Sequence, residues 1–214
     1  MKQFKIKESL DKMQDAMIDL ESIGVETDAA LTQISAVQFN PFTGQMGSEF
    51  DRVIDLKSSL DAGLSISAGS IKFWLTHPSV TQEAREVVMS KTGDHEPALP
   101  EDSLSSVLAD FKEWIKENDI RYVHGNGSAS DNVWVRSAYK AIEMEPAFTF
   151  RDDICFRSLK TMAKRTGWKD DVEFIGVVHN GIDDAKHQVR VLSSILEHFG
   201  MNVQEVDIQT QSGE

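Results

Sequence analysis

Hydrophobic positions along this chain change period near residue 70. Before it, Ala16 to Leu20 has strand composition, Leu31 to Phe39 reads Leu-Thr-Gln-Ile-Ser-Ala-Val-Gln-Phe and is closed by Asn40-Pro41 and Gly44, and Ser48 to Leu56 carries Phe50, Val53, Ile54 and Leu56. Short β-rich runs bounded by Gly, Pro and Asn predict strands. Three in succession with short links predict an antiparallel meander. After Ser70 helical spacing takes over, first in a short block with Ile71, Phe73, Trp74 and Leu75, then from Gln82 to Ser90 with Val87 and Val88. Residues 91–101 hold two prolines and a glycine and predict a loop. Leu104, Val107, Leu108, Phe111, Trp114 and Ile115 then give the clearest amphipathic helix, with Asp102 or Ser103 placed to cap it.

The second half alternates. Arg121 to His124 predicts a short strand running into Gly125-Asn126-Gly127-Ser128-Ala129-Ser130-Asp131, followed by a helix from Asn132 to Ile142. Ala147 to Phe150 predicts a fifth strand, Asp153 to Thr166 a helix with Leu159, Met162 and Ala163 inward, and Val172 to His179 an extended segment or loop. The last helix starts near Ile182 and carries Ala185, Val189, Leu192, Leu196 and Phe199. A meander followed by strand, small-residue loop and helix predicts an α/β fold with a mixed five-stranded sheet flanked by helices. The expected organisation is one domain over residues 16–200, an N-terminal extension over 1–15 and a polar tail over 201–214.

Composition narrows the class. A chain of 214 residues with 40% hydrophobic content can bury a full core. It has no apolar run near the ~20 residues a membrane span needs, and Met1 to Glu8 lacks the apolar core of a signal peptide, so a cytoplasmic setting is expected. Cys155 is the single cysteine and has no zinc-ligand neighbours in sequence, which predicts packing. The formal charge of −13 argues against holding long duplex DNA by phosphate neutralisation. It leaves room for an enzyme that grips a few terminal nucleotides and uses bound divalent cations as its positive charge.

The candidate chemistry starts on the first strand. Asp19 and Glu21 are two apart, so a strand projects both carboxylates to one face, where their repulsion calls for a hard cation such as Mg²⁺ or Mn²⁺. The bland alternative is an acidic surface strand. Asp131 stands at the mouth of a helix behind a glycine loop that lets the backbone approach a ligand closely, although a first-turn Asp also offsets a helix dipole unaided. In His179-Asn180-Gly181-Ile182-Asp183-Asp184 the imidazole falls in a loop and Asp184 in the first turn of a helix, an arrangement that suits a mobile base beside a fixed ligand and equally suits plain capping.

Taken in order, Asp19-x-Glu21 on a strand, Asp131 at a loop-to-helix junction and His179-x-x-x-x-Asp184 at a late helix resemble the DEDD superfamily of 3′-5′ exonucleases, in the branch marked by His. Asp19-Leu20-Glu21, Gly125-Asn126-Gly127-Ser128 with Asp131-Asn132, Arg151-Asp152 to Arg157-Ser158 and His179-Asn180 to Asp184-Ala185 look like a smaller phage and bacterial group acting on DNA or RNA. The resemblance covers roughly Ala16 to Phe199. Ser22 stands where that family usually has Thr and Ser130 where an aromatic commonly precedes the acid.

The resemblance implies a ribonuclease H-like fold and hydrolysis at the 3′ end of single-stranded DNA or RNA, with two Mg²⁺ or Mn²⁺ ions and release of nucleoside 5′-monophosphates. Asp19, Glu21, Asp131 and Asp184 would be metal ligands, with Asp19 bridging, and Asp183 a capping or outer carboxylate. His179 would be the general base. Ser22, Ile23, Gly24, Trp74, Asn126 and Arg157 are the expected substrate contacts, Ile23 and Trp74 against a base. Arg157, Lys160, Lys164 and Arg165, with Arg151 nearby, form a candidate phosphate track. A homodimer fits the resemblance. The alternatives are a non-catalytic nucleic-acid-binding protein on the same fold and a hydrolase of other phosphate esters.

Overall fold

The computed structural model describes residues 12–90 and 99–201. The remainder of the expected N-terminal extension and C-terminal tail, and residues 91–98 of the expected loop, lie outside the described residues. A five-stranded sheet organises the rest, with β1 (Asp15–Ser22), β2 (Leu31–Phe39), β3 (Met46–Val53), β4 (Tyr122–Gly125) and β5 (Asp153–Cys155) in the order β3-β2-β1-β4-β5. The first three pair antiparallel as a meander, while β4 runs parallel to β1 and β5 parallel to β4. The mixed sheet read from the sequence is therefore present.

Seven α-helices flank it, α1 (Leu56–Asp61), α2 (Ala68–Thr76), α3 (Gln82–Val88), α4 (Leu104–Glu117), α5 (Asp131–Ala141), α6 (Phe156–Arg165) and α7 (Gly181–His198), with a 3-10 turn at Pro100–Asp102, among the described residues. Strand β1 is central and buried on both faces, which explains apolar side chains at the consecutive positions Ala16, Met17 and Ile18. Ala16, Ile18 and Leu20 face a core built with Leu104, Val107, Leu108 and Phe111 of α4 and Val135 and Tyr139 of α5. Met17 faces the other core, with Phe156 and Ala163 of α6 and Ala185, Val189, Leu192 and Ile195 of α7. By the two-residue alternation of a strand, Asp19 and Glu21 share the α7 side with Met17. All six apolar positions of α4 are buried, and Ser103 is the residue that caps it, its Oγ accepting from the Ser106 amide at 3.3 Å.

Four boundaries differ from expectation. The third strand begins at Met46 and ends at Val53, because Asp55 takes the amides of Lys57 and Ser58 and starts α1 with Leu56, a helix not anticipated. The fifth strand is Asp153–Cys155, not Ala147 to Phe150. Phe148 does enter the core, but the Asp152 carboxylate accepts from both the amide and the hydroxyl of Thr149, at 2.6 and 2.9 Å, and folds that stretch into a turn. The true strand contains an unlikely Asp153, held by a bidentate pair with Arg136 (2.6 and 2.8 Å) and by the Asn132 amide at 3.0 Å. The helix expected from Asp153 accordingly starts at Phe156. At the other end Asp15, placed in the extension, already belongs to β1 and pairs with buried His124 at 2.6 Å.

Candidate active site

The parallel strands β1 and β4 both end where loops and helix N-termini converge, and that edge gathers all four acids. Asp19 and Glu21 come from the last turns of the pleat in β1, Asp131 from the first residue of α5 and Asp184 from the first turn of α7. Two close approaches allow this. A Cβ on Gly125 would lie 2.3 Å from Asn132 Oδ1 and 3.0 Å from Asp131 Cβ, so only glycine lets the start of α5 lean over the end of β4. A Cβ on Gly181 would lie 2.4 Å from Ser35 Oγ, so the start of α7 sits directly on β2.

The Gly125 contact makes a prediction. Asn132 cannot retreat, since its Nδ2 donates to the Val123 carbonyl at 2.9 Å and to Asp153. Gly125→Ala is expected to cost about 1–3 kcal/mol through overpacking, read as a lower denaturant midpoint. It is also expected to displace Asp131 from the other acids, so that divalent-cation binding weakens further than the loss of folded protein accounts for.

Ligand atoms of Glu21, His179 and Asp184 all lie within 4.8 Å of one another. Asp19 and Glu21 also feel the other acids. Burial, then Asp131 and Asp184, hold Asp19 well above the usual carboxylate range, with a hydrogen bond from Gln188 opposing. Burial, then Asp19, Asp184 and Asp131, do the same to Glu21. Burial raises Asp131 to about 7 against the pull of backbone amides and Arg157, and burial raises Asp184 to about 6 against the His179 amide. An uncompensated cluster of this kind is destabilising, and a hard divalent cation is the partner its oxygen donors fit.

His179 takes a left-handed backbone, φ 65°, unusual for a non-glycine residue. The Asp184 carboxylate holds it there by accepting the His179 amide at 2.7 Å, so the acid and the imidazole are positioned together. Burial, then the nearby His77, keep the His179 ring below the ordinary imidazole range. Asp183 caps the loop instead, accepting from the Val177 amide at 2.9 Å.

The expected substrate contacts divide. A cleft of about 340 Å³ beside Glu21 is walled by Leu20, Ser22, Gly24, Phe73, Trp74 and Trp134, among others. Ile23 is buried with Val80 and Val88 beneath it, and Trp74 is 2% exposed with its indole N–H given to the Ser22 carbonyl at 2.9 Å. Half-buried Phe73 and Trp134 are the rings with free surface there. Ser22 Oγ donates to the Gly24 carbonyl at 2.9 Å and shapes the turn. Asn126 and Arg157 meet, the guanidinium donating to the Asn126 carbonyl at 2.5 Å beside Asp131. On the candidate phosphate track Lys160 and Lys164 are paired with Asp170, at 2.7 and 3.7 Å, while Arg157 stays exposed.

The match to known proteins follows this geometry. The model of the Rv2179c-like family, described as the 3′-5′ exoribonuclease Rv2179c-like domain, matches residues 14–196. The chain belongs to this family. The resemblance to the His-marked DEDD exonucleases is thereby borne out, and with it the reading of the chain as a nuclease of the 3′-5′ exonuclease class. The fold of this exonuclease domain is shared with cell-death related nuclease 4 (CRN-4) at a TM-score of 0.58 and 14% identity, over 88% of this chain and 65% of that one. The chain thus spans about two thirds of the length of that nuclease. It is shared also with the nuclease domain of 3′hExo, a DEDDh family member solved bound to rAMP, at a TM-score of 0.56 and 14% identity, over 89% of this chain and 94% of that one. No curated protein matches the chain by sequence.

Five residues of the candidate site escaped the sequence reading, Trp134 of the cleft wall among them. Gln188 donates to Asp19 at 2.6 Å, and its place one helical turn after Asp184 was the available signal. His77, Ser79 and Phe73 surround His179 from α2 and the turn after it, and nothing local to them marks that role. Among the described residues no helix is long and apolar enough to cross a membrane.

Proposed function

We propose that this domain removes nucleotides one at a time from the 3′ end of single-stranded nucleic acid, with RNA the preferred polymer, by metal-dependent hydrolysis that releases nucleoside 5′-monophosphates. The observation that carries the reading is the convergence of Asp19, Glu21, Asp131 and Asp184 with His179 at one sheet edge, where burial and the neighbouring acids raise the proton affinity of Asp19 and Glu21. Membership of an exoribonuclease domain family supports RNA.

Asp19, Glu21, Asp131 and Asp184 would hold the two Mg²⁺ or Mn²⁺ ions, and their oxygen donors fit that choice. When bound, such ions lower the pKa of water and stabilise charge on the leaving 3′-oxygen. The chain supplies the remainder. His179 takes the proton from the attacking water, and its lowered proton affinity keeps it neutral and ready to do so at neutral pH. Gln188 donates to one oxygen of Asp19 and fixes the carboxylate's orientation. The apolar cleft beside Glu21 receives the terminal base, with Phe73 and Trp134 as its aromatic walls. Arg157 sits beside Asp131, placed to meet a backbone phosphate.

Single strands of RNA and DNA, labelled at either end and incubated with Mg²⁺, Mn²⁺ or EDTA, test this. Stepwise shortening from the 3′ end with labelled mononucleotide released, abolished by EDTA and faster on RNA, is the expected result. Cleavage from the 5′ end, or shortening that persists in EDTA, overturns it. A non-catalytic binder on the same fold would retain the strand intact under every metal.

A further inference from the structure

His179 is held by a hydrogen-bond chain that belongs to no part of the acidic cluster. Its Nε2 lies 2.8 Å from Ser79 Oγ, and Ser79 Oγ lies 2.7 Å from His77 Nδ1. Phe73 packs on both imidazoles, with ring centroids 4.8 Å from His77 and 5.4 Å from His179. The direction of the chain follows from one further bond. The Ser79 backbone N–H points at His77 Nδ1 at 3.3 Å, and an amide can only donate, so Nδ1 of His77 is an acceptor. The single hydroxyl proton of Ser79 therefore goes to His77. What remains on Ser79 Oγ towards His179 is a lone pair, which can only accept.

We infer that Ser79, oriented by His77, fixes neutral His179 as the Nε2–H tautomer and so makes Nδ1 the nitrogen that accepts the proton from water. The inference rests on the proposed role of His179 as the base. Ser79 and His77 are positioning residues, touching neither substrate nor metal. A neutral imidazole carries one proton and one basic nitrogen, and a hydrogen bond to the first decides where the second points. Without Ser79 the ring divides between two tautomers and turns more freely on its loop.

The test uses the full chain with ¹⁵N-labelled histidine and the exonuclease assay. At about pH 8, where an ordinary imidazole is neutral, the ¹⁵N shifts of His179 in the native protein are expected to show Nε2 protonated and Nδ1 bare. Ser79→Ala should blur that pattern and lower kcat by about 10- to 100-fold while KM holds, and Ser79→Thr, which keeps the hydroxyl, should restore both. An Nδ1–H tautomer in the native protein overturns the inference, as does a Ser79→Ala enzyme with native shifts and native kcat. His179→Ala separates the two claims. If it retains native activity, the base assignment itself fails; if it is inactive while Ser79→Ala is unaffected, only the tautomer inference falls.

Discussion

Asp19→Asn is expected to abolish hydrolysis while making the metal-free protein more stable. Asn keeps the shape and an oxygen to accept the Gln188 hydrogen bond, so the fold has no reason to change. What disappears is the charge that Asp131 and Asp184 push against and that would lie between two cations. Loss of metal-dependent stabilisation of the transition state worth several kcal/mol corresponds to at least about a thousandfold in kcat. The repulsion removed acts in the opposite direction, and near pH 8 the melting temperature in EDTA should rise above that of the native protein. The native protein should be further stabilised by Mg²⁺, and the variant much less. A variant that loses activity and also melts lower in EDTA would mean that Asp19 serves the fold rather than a metal.

The second expectation concerns pH. In the unfolded chain these carboxylates lose their protons near pH ~4, whereas in the folded protein Asp184 holds its proton to about 6 and Asp131 to about 7. For acids raised in this way the folded state binds more protons between those values. Their contribution to stability is complete below about pH 4 and is lost as pH rises through about 6 to 7. The metal-free protein is therefore expected to melt lower at about pH 8 than at pH 5, by about 5 °C or more for a chain of this size. Divalent cations compete with protons for the same oxygens, so the rise in melting temperature on adding Mg²⁺ should be small at about pH 5 and largest near pH 8. Scanning calorimetry at both pH values, with Mg²⁺ or EDTA, reads all four quantities. Asp131→Asn should flatten the metal-free slope, and an unchanged slope would show that the titration lies elsewhere.

Several parts of this molecule are legible in its sequence. The acids, His179 and Asp184 sit on short motifs whose spacing is local, and periodicity placed the central strand and α4 correctly because their burial repeats with the geometry of the backbone itself. Where side-chain hydrogen bonds overrode that repeat, the reading slipped. Asp152 closed a turn where an apolar stretch suggested a strand, and Asp153 entered the sheet only because Arg136 and Asn132 neutralise and bind it. Ile23 and Trp74 are buried because α2 and α3 fold over the end of β1, and Trp74 lines the cleft there.

By itself, then, the sequence determined the strand and helix periods, the family and the residues able to do metal chemistry, because each depends on neighbours a few positions away. Only the tertiary structure decided how those residues act on one another. Gln188 reaches Asp19 across 169 positions and Ser79 reaches His179 across 100. Such contacts are set by how helices pack on the sheet, and the raised proton affinity of the acids exists only once that packing has removed water and brought like charges together.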